Sequence, residues 1–204
     1  MIHGTDEAGR GPLVGPLVLV IASFQEGRER ELLELGVKDS KLLTPKKREG
    51  LEKEILKMGS AEYAEVPASG LNVRMRSSSL NKIEAEEMGK LIGSKEGTVY
   101  IDLPSTNLAS FLRDLGRSEG IVAEHKADSK YPAVAAASIL AKVRRDLRIA
   151  ELRERFGDFG SGYPSDERTI SFISKPENMR ALRPYIRERW STLDRIFQTR
   201  LNSF

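Results

Sequence analysis

The sequence predicts an α/β core with a mixed β-sheet, followed by a helical C-terminal subdomain. The chain begins with two predicted strands, the second of them apolar, separated by a turn that contains glycines, which is typical of a β-hairpin. Segments rich in β-forming residues then alternate with segments of helical periodicity, and the last part of the chain shows helical periodicity alone. This order of elements is typical of a sheet with helices packed against it.

The predicted hairpin occupies the first 24 residues. Residues 2–5 form a short strand, and residues 14–24 form a second strand rich in valine, isoleucine and leucine, which indicates that it is buried. Between the two strands lie Gly9, Gly11 and Pro12, which favour a turn.

The elements after the hairpin follow from periodicity and from the positions of proline and glycine. Further strands are predicted at residues 61–66, 98–101 and 120–124. Helices are predicted at residues 46–58, 79–92, 108–115 and 132–156, and short helices over residues 166–200. We place the core at residues 1–145 and the helical C-terminal subdomain at residues 146–204.

Composition excludes several kinds of site. The 204 residues contain no cysteine and two histidines, which excludes disulfides and thiolate metal sites and disfavours an all-histidine zinc site. Any metal would therefore be held by oxygen ligands, which favours Mg²⁺ or Mn²⁺. No apolar run approaches the roughly 20 residues needed to span a bilayer, and we expect a cytoplasmic protein.

The distribution of charge is more informative than the net charge of +3. Residues 142–204 carry a net charge of about +5, and residues 1–141 carry about −2. A basic C-terminal third suits binding to a polyanion such as a nucleic acid. A solvated helical surface would have the same composition, so charge alone leaves both interpretations open.

Four acidic residues lie at the predicted ends of elements. They are Asp6 and Glu7 after the first strand, Asp102 after the strand at 98–101, and Asp128 before the long helix. Each alone could be a turn or capping residue. Together they could converge on one edge of the sheet, where repulsion between carboxylates requires a compensating cation.

Two hard divalent ions about 4 Å apart would supply that compensation, and such a pair cleaves phosphodiesters by activating water and stabilising the leaving oxygen. Neighbouring side chains of a regular strand point to opposite faces. For Asp6 and Glu7 to serve one site, we therefore expect an irregular backbone there.

Four motifs carry a resemblance to a known family. They are the residues 4–16 (GTDEAGRGPLVGP), 37–41 (VKDSK), 128–143 (with DSK and AAASILAKV) and 160–166 (GSGYPSD). In this order they resemble the signature of the ribonuclease HII family, and the segment EHKAD at 124–128 resembles its archaeal branch. The resemblance implies a ribonuclease H-like fold with a five-stranded mixed sheet flanked by helices. It also implies endonucleolytic hydrolysis of the RNA strand of RNA–DNA hybrids.

The resemblance assigns catalytic and metal-binding roles to the four acids, which would hold two divalent ions, Mg²⁺ or Mn²⁺: Asp6, Glu7, Asp102 and Asp128. Cleavage would extend to single ribonucleotides embedded in duplex DNA and would leave 5′-phosphate and 3′-hydroxyl ends. Primer removal and ribonucleotide repair are the cellular roles that such an activity implies.

The resemblance also implies a substrate-binding set. Gly9, Arg10 and Gly11 would read the ribose 2′-hydroxyl, since glycine lets the backbone approach a sugar closely and the 2′-hydroxyl distinguishes RNA from DNA. Tyr163 would stack on the sugar of the following deoxynucleotide. Three further residues would hold backbone phosphates, although a solvated lysine or a helix-packing serine would also fit these positions: Lys41, Ser138 and Lys142.

The C-terminal sequence contains a second motif. Gln198, Leu201 and Phe204 have the spacing of the peptide by which replication and repair proteins dock on the sliding clamp PCNA. A final helix that packs Leu201 and Phe204 on the core is an alternative interpretation. We expect a monomer.

Two rival functions remain open from the sequence. One is another ribonuclease H-like nuclease, such as a junction resolvase, and the other is a non-catalytic module that binds RNA–DNA hybrids. The Gly9–Gly11 segment and Tyr163 disfavour a resolvase, because it needs no 2′-hydroxyl sensor. The presence of all four acids disfavours a binding module.

Overall fold

A computed structural model of the chain describes residues 1–37, 43–190 and 193. These residues form two compact units. The first contains residues 1–8, the described residues between 18 and 65, and residues 78–144. The second contains residues 9–17, 66–77 and the described residues from Arg145 onward.

A five-stranded mixed sheet is the framework of the first unit. Its strands are β1 (Ile2–Ala8), β2 (Leu17–Phe24), β3 (Ser60–Val66), β4 (Thr98–Asp102) and β5 (Ile121–Glu124), in the order β3-β2-β1-β4-β5. Strand β1 is antiparallel to β2 and parallel to β4, and β4 is parallel to β5. The predicted hairpin and the predicted five-stranded mixed sheet are both confirmed.

The helices of the described residues are α1 (Glu29–Glu34), α2 (Pro45–Met58), α3 (Ala68–Arg74), α4 (Leu80–Ile92), α5 (Leu108–Leu115), α6 (Ala127–Lys130), α7 (Pro132–Phe156), α8 (Glu167–Ile173) and α9 (Pro176–Leu182). Side chains that accept an amide N–H cap the first turns of α2, α4 and α5: Thr44, Ser79 and Asn107. None of these helices is long and apolar enough to cross a membrane.

Most predicted elements agree with the structure to within one or two residues, and α5 and α7 have the predicted bounds. Helices α1, α3 and α6 were not predicted, since four to seven residues are too few to show a period. Strand β2 begins at Leu17, three residues later than predicted. Gly15 has φ +96° and Pro16 follows it, which prevents a regular strand there.

The core of the first unit lies where the alanine-rich start of α7 packs on the sheet. The inward residues of β2, Val18, Val20 and Ala22, belong to the same buried cluster as the alanines of α7. Helix and strand approach so closely that a Cβ on Gly4 would lie 2.2 Å from the carbonyl carbon of Ala133. A larger residue than glycine at position 4 would push α7 away from β1.

The core of the second unit joins residues that are far apart in sequence. Leu13 and Val14 share a buried cluster with Ile149, Phe159 and several residues near the C-terminus. Val14 also forms an isolated antiparallel bridge with Ile186. The segment at 9–17 is therefore anchored by the C-terminal helices.

Candidate active site

Asp6 and Asp102 lie next to each other at the end of the β1–β4 ladder. The last paired residues of these parallel strands are Thr5 and Ile101, and the next residue of each strand is an aspartate. Asp6 is buried, with 6% of its surface exposed, and this burial raises the pKa of Asp6, to which the negative charge of Asp102 adds a smaller increase. The structure thus brings the first and third predicted acids to one edge of the sheet.

Asp102 is also bound to the helix that carries Asp128. Its Oδ1 accepts the backbone N–H of Ala127 at 3.1 Å, which fixes the first turn of α6 at the carboxyl end of β4. Asp128 is the next residue and is buried. It is therefore inside a one-turn helix whose N-cap is Lys126, so the alternative of a capping residue does not apply to Asp128.

The expected irregular backbone at Asp6 and Glu7 is wrong. Strand β1 stays in register with β2 through Ala8, with Asp6 opposite Val20 and Glu7 opposite Leu19. In a regularly paired strand, the Cβ atoms of neighbouring residues lie on opposite faces of the sheet. Beyond the end of the β4 ladder, the Glu7 N–H donates to Asp6 Oδ1 at 2.7 Å. The metal-binding role of Glu7 stays a prediction.

Helix α7 supplies a hydrogen-bonded chain that ends on Asp6. Lys142 Nζ donates to Ser138 Oγ at 2.5 Å, one helical turn away. A hydrogen bond from Ser138 and the positive charge of Lys142 each lower the pKa of Asp6. Ser138 is buried, and its hydrogen bond places it against a predicted catalytic acid. The contact of both residues with a phosphate stays a prediction.

Burial is the dominant influence on Asp6 and raises its pKa to about 6, against the opposing effects of Ser138 and Lys142. A carboxylate that is ionised at neutral pH in such surroundings is stabilised by a cation. The donors at this edge are carboxylate oxygens, which suit a hard divalent ion. The residues present therefore fit Mg²⁺ or Mn²⁺.

Within residues 1–37, 43–190 and 193, no three acidic or histidine side chains form a group already arranged to hold a metal ion. The four predicted ligands come from β1, β4 and α6, three separate elements of the first unit. Their assignment as ligands stays a prediction.

The predicted sugar-reading segment begins with a glycine that no other residue could replace without strain. Gly9 has φ +90°, and a Cβ there would lie 2.7 Å from the carbonyl oxygen of Pro16 and 2.9 Å from Cδ of Arg145. Gly11 is exposed, and a Cβ there would contact the Tyr163 ring at 3.8 Å. Gly11 and Tyr163 are therefore neighbours in the second unit.

Tyr163 is half-buried in a loop whose backbone is extensively hydrogen-bonded. The Asp166 carboxylate accepts the Ser161 N–H at 2.8 Å, and the Thr169 hydroxyl accepts the Gly162 N–H at 3.0 Å. Hydrogen bonds from Arg168 and Ser161 hold the pKa of Asp166 well below its usual range, so this carboxylate stays ionised and keeps accepting. The loop presents Tyr163 from a fixed backbone.

Two buried arginines of the second unit were missed by sequence reasoning. Arg187 is fully buried, and its guanidinium donates to the carbonyl oxygens of Gly15 at 3.0 Å and Arg10 at 3.1 Å. Arg145 packs against Tyr163. A signal for Arg145 was present, since it lies at helical spacing between the apolar Ala141 and Ile149, whereas nothing in the sequence marks Arg187.

Several predicted site residues lie outside the described part of the chain. These are the phosphate-binding candidate and the three residues of the clamp-binding motif: Lys41, Gln198, Leu201 and Phe204.

Comparisons with known proteins agree with the fold. Residues 3–193 match the family model for Ribonuclease HII. The chain is 44% identical to the ribonuclease HII of Pyrococcus abyssi over 206 aligned residues, which cover 96% of this chain and 90% of the relative.

Solved structures give the same result. A chain of the PCNA:RNase HII complex from Archaeoglobus fulgidus matches with a TM-score of 0.84 and 40% identity, over 93% of this chain and 95% of that chain. Bst-RNase HIII in complex with Mn²⁺ matches with a TM-score of 0.82 over 97% of this chain and 69% of that chain. At 23% identity, the second match shows a shared fold.

The sheet order and the similarity to solved ribonucleases of 37–40% identity place the chain in the ribonuclease H-like fold class, with two aspartates at the edge of the sheet. The chain belongs to the ribonuclease HII family. It is therefore an endoribonuclease that hydrolyses the RNA strand of its substrate.

Proposed function

We propose that this enzyme cuts the RNA strand of RNA–DNA hybrids and also cuts duplex DNA at single embedded ribonucleotides, leaving 5′-phosphate and 3′-hydroxyl ends. One observation carries the proposal: the buried Asp6 and the constrained Gly9 are three residues apart on one continuous segment. Only two residues therefore separate the acid proposed for hydrolysis from the glycine proposed for recognition of the sugar. Primer removal and ribonucleotide repair are the roles we propose for this activity.

The proposed cofactor is a pair of divalent ions, Mg²⁺ or Mn²⁺, with Asp6, Glu7, Asp102 and Asp128 as ligands. When bound, such ions activate water and stabilise the leaving oxygen. The protein's own contribution is to hold the carboxylates in place. Asp102 fixes the start of α6, which carries Asp128, and Ser138 holds the Asp6 carboxylate.

Recognition of the substrate is proposed to use the second unit. The backbone of Gly9, Arg10 and Gly11 reads the 2′-hydroxyl, and Arg187 holds the Arg10 carbonyl oxygen in a fixed direction. Tyr163, adjacent to Gly11, stacks on the following deoxyribose. Lys41, Ser138 and Lys142 are proposed to hold backbone phosphates, which would position the duplex without selecting its sequence.

The decisive experiment uses a DNA duplex with one ribonucleotide, with Mg²⁺ or Mn²⁺, and maps the cut. We expect cleavage at the ribonucleotide, and at least about 1000-fold slower cleavage of the all-DNA duplex, since a site built around a hydroxyl strongly rejects the analogue that lacks it. Equal cleavage of the all-DNA duplex would favour a resolvase-type nuclease. Binding without metal-dependent turnover would favour a non-catalytic module.

We further propose that Gln198, Leu201 and Phe204 dock on the sliding clamp PCNA. Two observations support this proposal: the spacing of the motif and the similarity to a ribonuclease HII that was solved in complex with PCNA. The glutamine would enter a small polar pocket, and the leucine and phenylalanine would fill an apolar groove.

Deletion of residues 198–204 tests this docking. We expect unchanged kcat on free oligonucleotides and a loss of PCNA affinity of about 30-fold or more, because the loss of even one such anchor costs about 2 kcal/mol or more. Titration calorimetry with an archaeal PCNA measures the affinity, and Thr199→Ala, at a position that the motif leaves variable, is the matched control. The same clamp affinity without the tail would show that the docking proposal is wrong.

A further inference from the structure

Arg145 is a buried cation within the second unit. It lies on α7 with only 5% of its surface exposed, and burial lowers the pKa of its guanidinium. Its nearest carboxylate in sequence, Asp146, is 4.0 Å away and is itself 44% exposed, so this ion pair compensates little of the cost of burial. The contacts of Arg145 with other groups must therefore account for its position.

Those contacts join the two parts of the proposed sugar-recognition site. The guanidinium carbon lies 4.6 Å from the centre of the Tyr163 ring, within the range of a cation–π contact. Nη2 donates to the Ser161 carbonyl oxygen at 3.0 Å, in the loop that carries Tyr163. On its other side, Cδ and Nε are so close to Gly9 that a Cβ there would lie 2.9 Å and 3.0 Å from them.

We infer that Arg145 is a positioning residue, which holds the Tyr163 ring and the Gly9 backbone in a fixed mutual arrangement and thereby sets the rate of cleavage at a ribonucleotide. The inference rests on the proposed function of Tyr163 and of the Gly9–Gly11 segment. Because its guanidinium is covered by the tyrosine ring and bound to a carbonyl, Arg145 acts through these groups and does not itself contact a phosphate.

The first test compares Arg145→Ala with Arg148→Ala, a control one turn further along α7 whose side chain pairs with Glu151 on the same helix. On a duplex with one ribonucleotide, Arg145→Ala is expected to lower kcat by about 10- to 100-fold with little change in KM, because a misplacement of about 1 Å costs that much in rate. The control is expected to retain the kcat of the unmodified enzyme. An unchanged kcat in Arg145→Ala would overturn the inference.

Conservative replacement keeps the test valid if the alanine variant does not fold. Arg145→Lys retains a cation near the ring and loses the planar fork that also reaches the Ser161 carbonyl. The kcat of Arg145→Lys is expected to lie between those of Arg145→Ala and the unmodified enzyme. If only the lysine variant folds, its kcat is expected to be lower than that of the unmodified enzyme, with an unchanged KM. A folded lysine variant with normal kcat would contradict the proposed role.

A double-mutant cycle separates positioning through Tyr163 from any direct effect. In a Tyr163→Ala background, Arg145→Ala is expected to lower kcat by a smaller factor than in the unmodified enzyme, since the ring is gone and only the contact with Gly9 is left to lose. Fully independent effects of the two substitutions would overturn the inference. If the unmodified enzyme fails to cut the single-ribonucleotide duplex at all, the proposed function fails instead, and the two failures are thus distinguishable.

Discussion

Replacing Asp6 with asparagine is expected to lower kcat on an RNA–DNA hybrid by about 10⁴-fold or more, as removal of a central catalytic group does in other hydrolases. The neutral amide keeps the shape of the side chain and loses the charge needed to hold a divalent ion. Binding of the hybrid is expected to remain largely intact, because Asp6 is buried and phosphates bind to cations elsewhere. Single-turnover cleavage and fluorescence anisotropy measure the two quantities.

The matched control for this variant is Glu26→Gln, which makes the same change from carboxylate to amide at an exposed residue of the first unit. Its cleavage rate is expected to be normal. Full activity in Asp6→Asn would remove Asp6 from the mechanism. A parallel loss of binding and cleavage would indicate that Asp6 supports the fold of the substrate site instead.

The stability of Asp6→Asn, measured without metal, shows whether its loss of activity reflects unfolding. Burial raises the pKa of Asp6 to about 6, so the folded protein binds this proton more tightly than the unfolded chain. The stabilisation from a protonated Asp6 is complete below about pH 4 and is lost as the pH rises through about 6. At about pH 7.5 without metal, Asp6→Asn is expected to be more stable than the unmodified protein by about 2–3 kcal/mol.

The part of the site that could be predicted from the sequence is the part fixed by the ends of strands. Asp102 follows an apolar β-rich run, and Asp6 follows the short strand predicted at residues 2–5, so parallel pairing of these strands brings the two side chains together. Each aspartate directly follows a predicted strand. In a parallel pair the carboxyl ends of both strands lie at the same edge of the sheet, so both aspartates are expected at that edge.

The expectation about Asp6 and Glu7 failed for a physical reason. It assumed that the glycines after Glu7 end the strand, whereas β2 continues to pair with β1 through Ala8. Only the pairing with β4 ends at Thr5, and the Glu7 N–H then donates to the Asp6 carboxylate. The pairing of β1 with β2 and its pairing with β4 thus end at different residues, and the sequence pattern of one strand does not show where each pairing ends.

The grouping of residues 9–17 with the C-terminal helices could not be predicted from a pattern along the chain. Leu13 and Val14 are ordinary apolar residues in sequence, and the nearest of their buried partners, Ile149, is 135 residues beyond Val14, while Ile186 is 172 residues beyond it. The buried state of Arg187 has the same origin. Its environment exists only after the two distant segments have packed together.

Arg187→Met is expected to destabilise the protein by about 3–5 kcal/mol, since it leaves two buried carbonyl oxygens without a charged donor, each worth about 1.5–3 kcal/mol. The side chain of Arg187 is fully buried, so no water replaces the lost donors at the Gly15 and Arg10 carbonyl oxygens. Methionine has a similar length, which limits any cavity. The corresponding decrease in Tm is about 10 °C for a chain of this size.

Arg183→Met is the matched control for Arg187→Met. Arg183 is 74% exposed and pairs with Glu188 at the surface, where an ion pair contributes less than about 1 kcal/mol. The Tm of Arg183→Met is expected to differ from that of the unmodified protein by only a few degrees. Scanning calorimetry of both variants distinguishes loss of a buried hydrogen-bonded cation from loss of any arginine in this region.

Arg187→Met is also expected to affect recognition of the substrate. Because the Arg10 carbonyl oxygen accepts from Arg187, the loss of this donor frees the backbone between Gly9 and Gly11. Well below its Tm, Arg187→Met is therefore expected to retain its fold by circular dichroism and to cut the single-ribonucleotide duplex about tenfold or more slowly. Arg187→Lys cannot reach both carbonyl oxygens with a planar fork and is expected to show a milder form of both defects. An unchanged Tm together with an unchanged kcat in Arg187→Met would show that the two carbonyl contacts do not hold the segment.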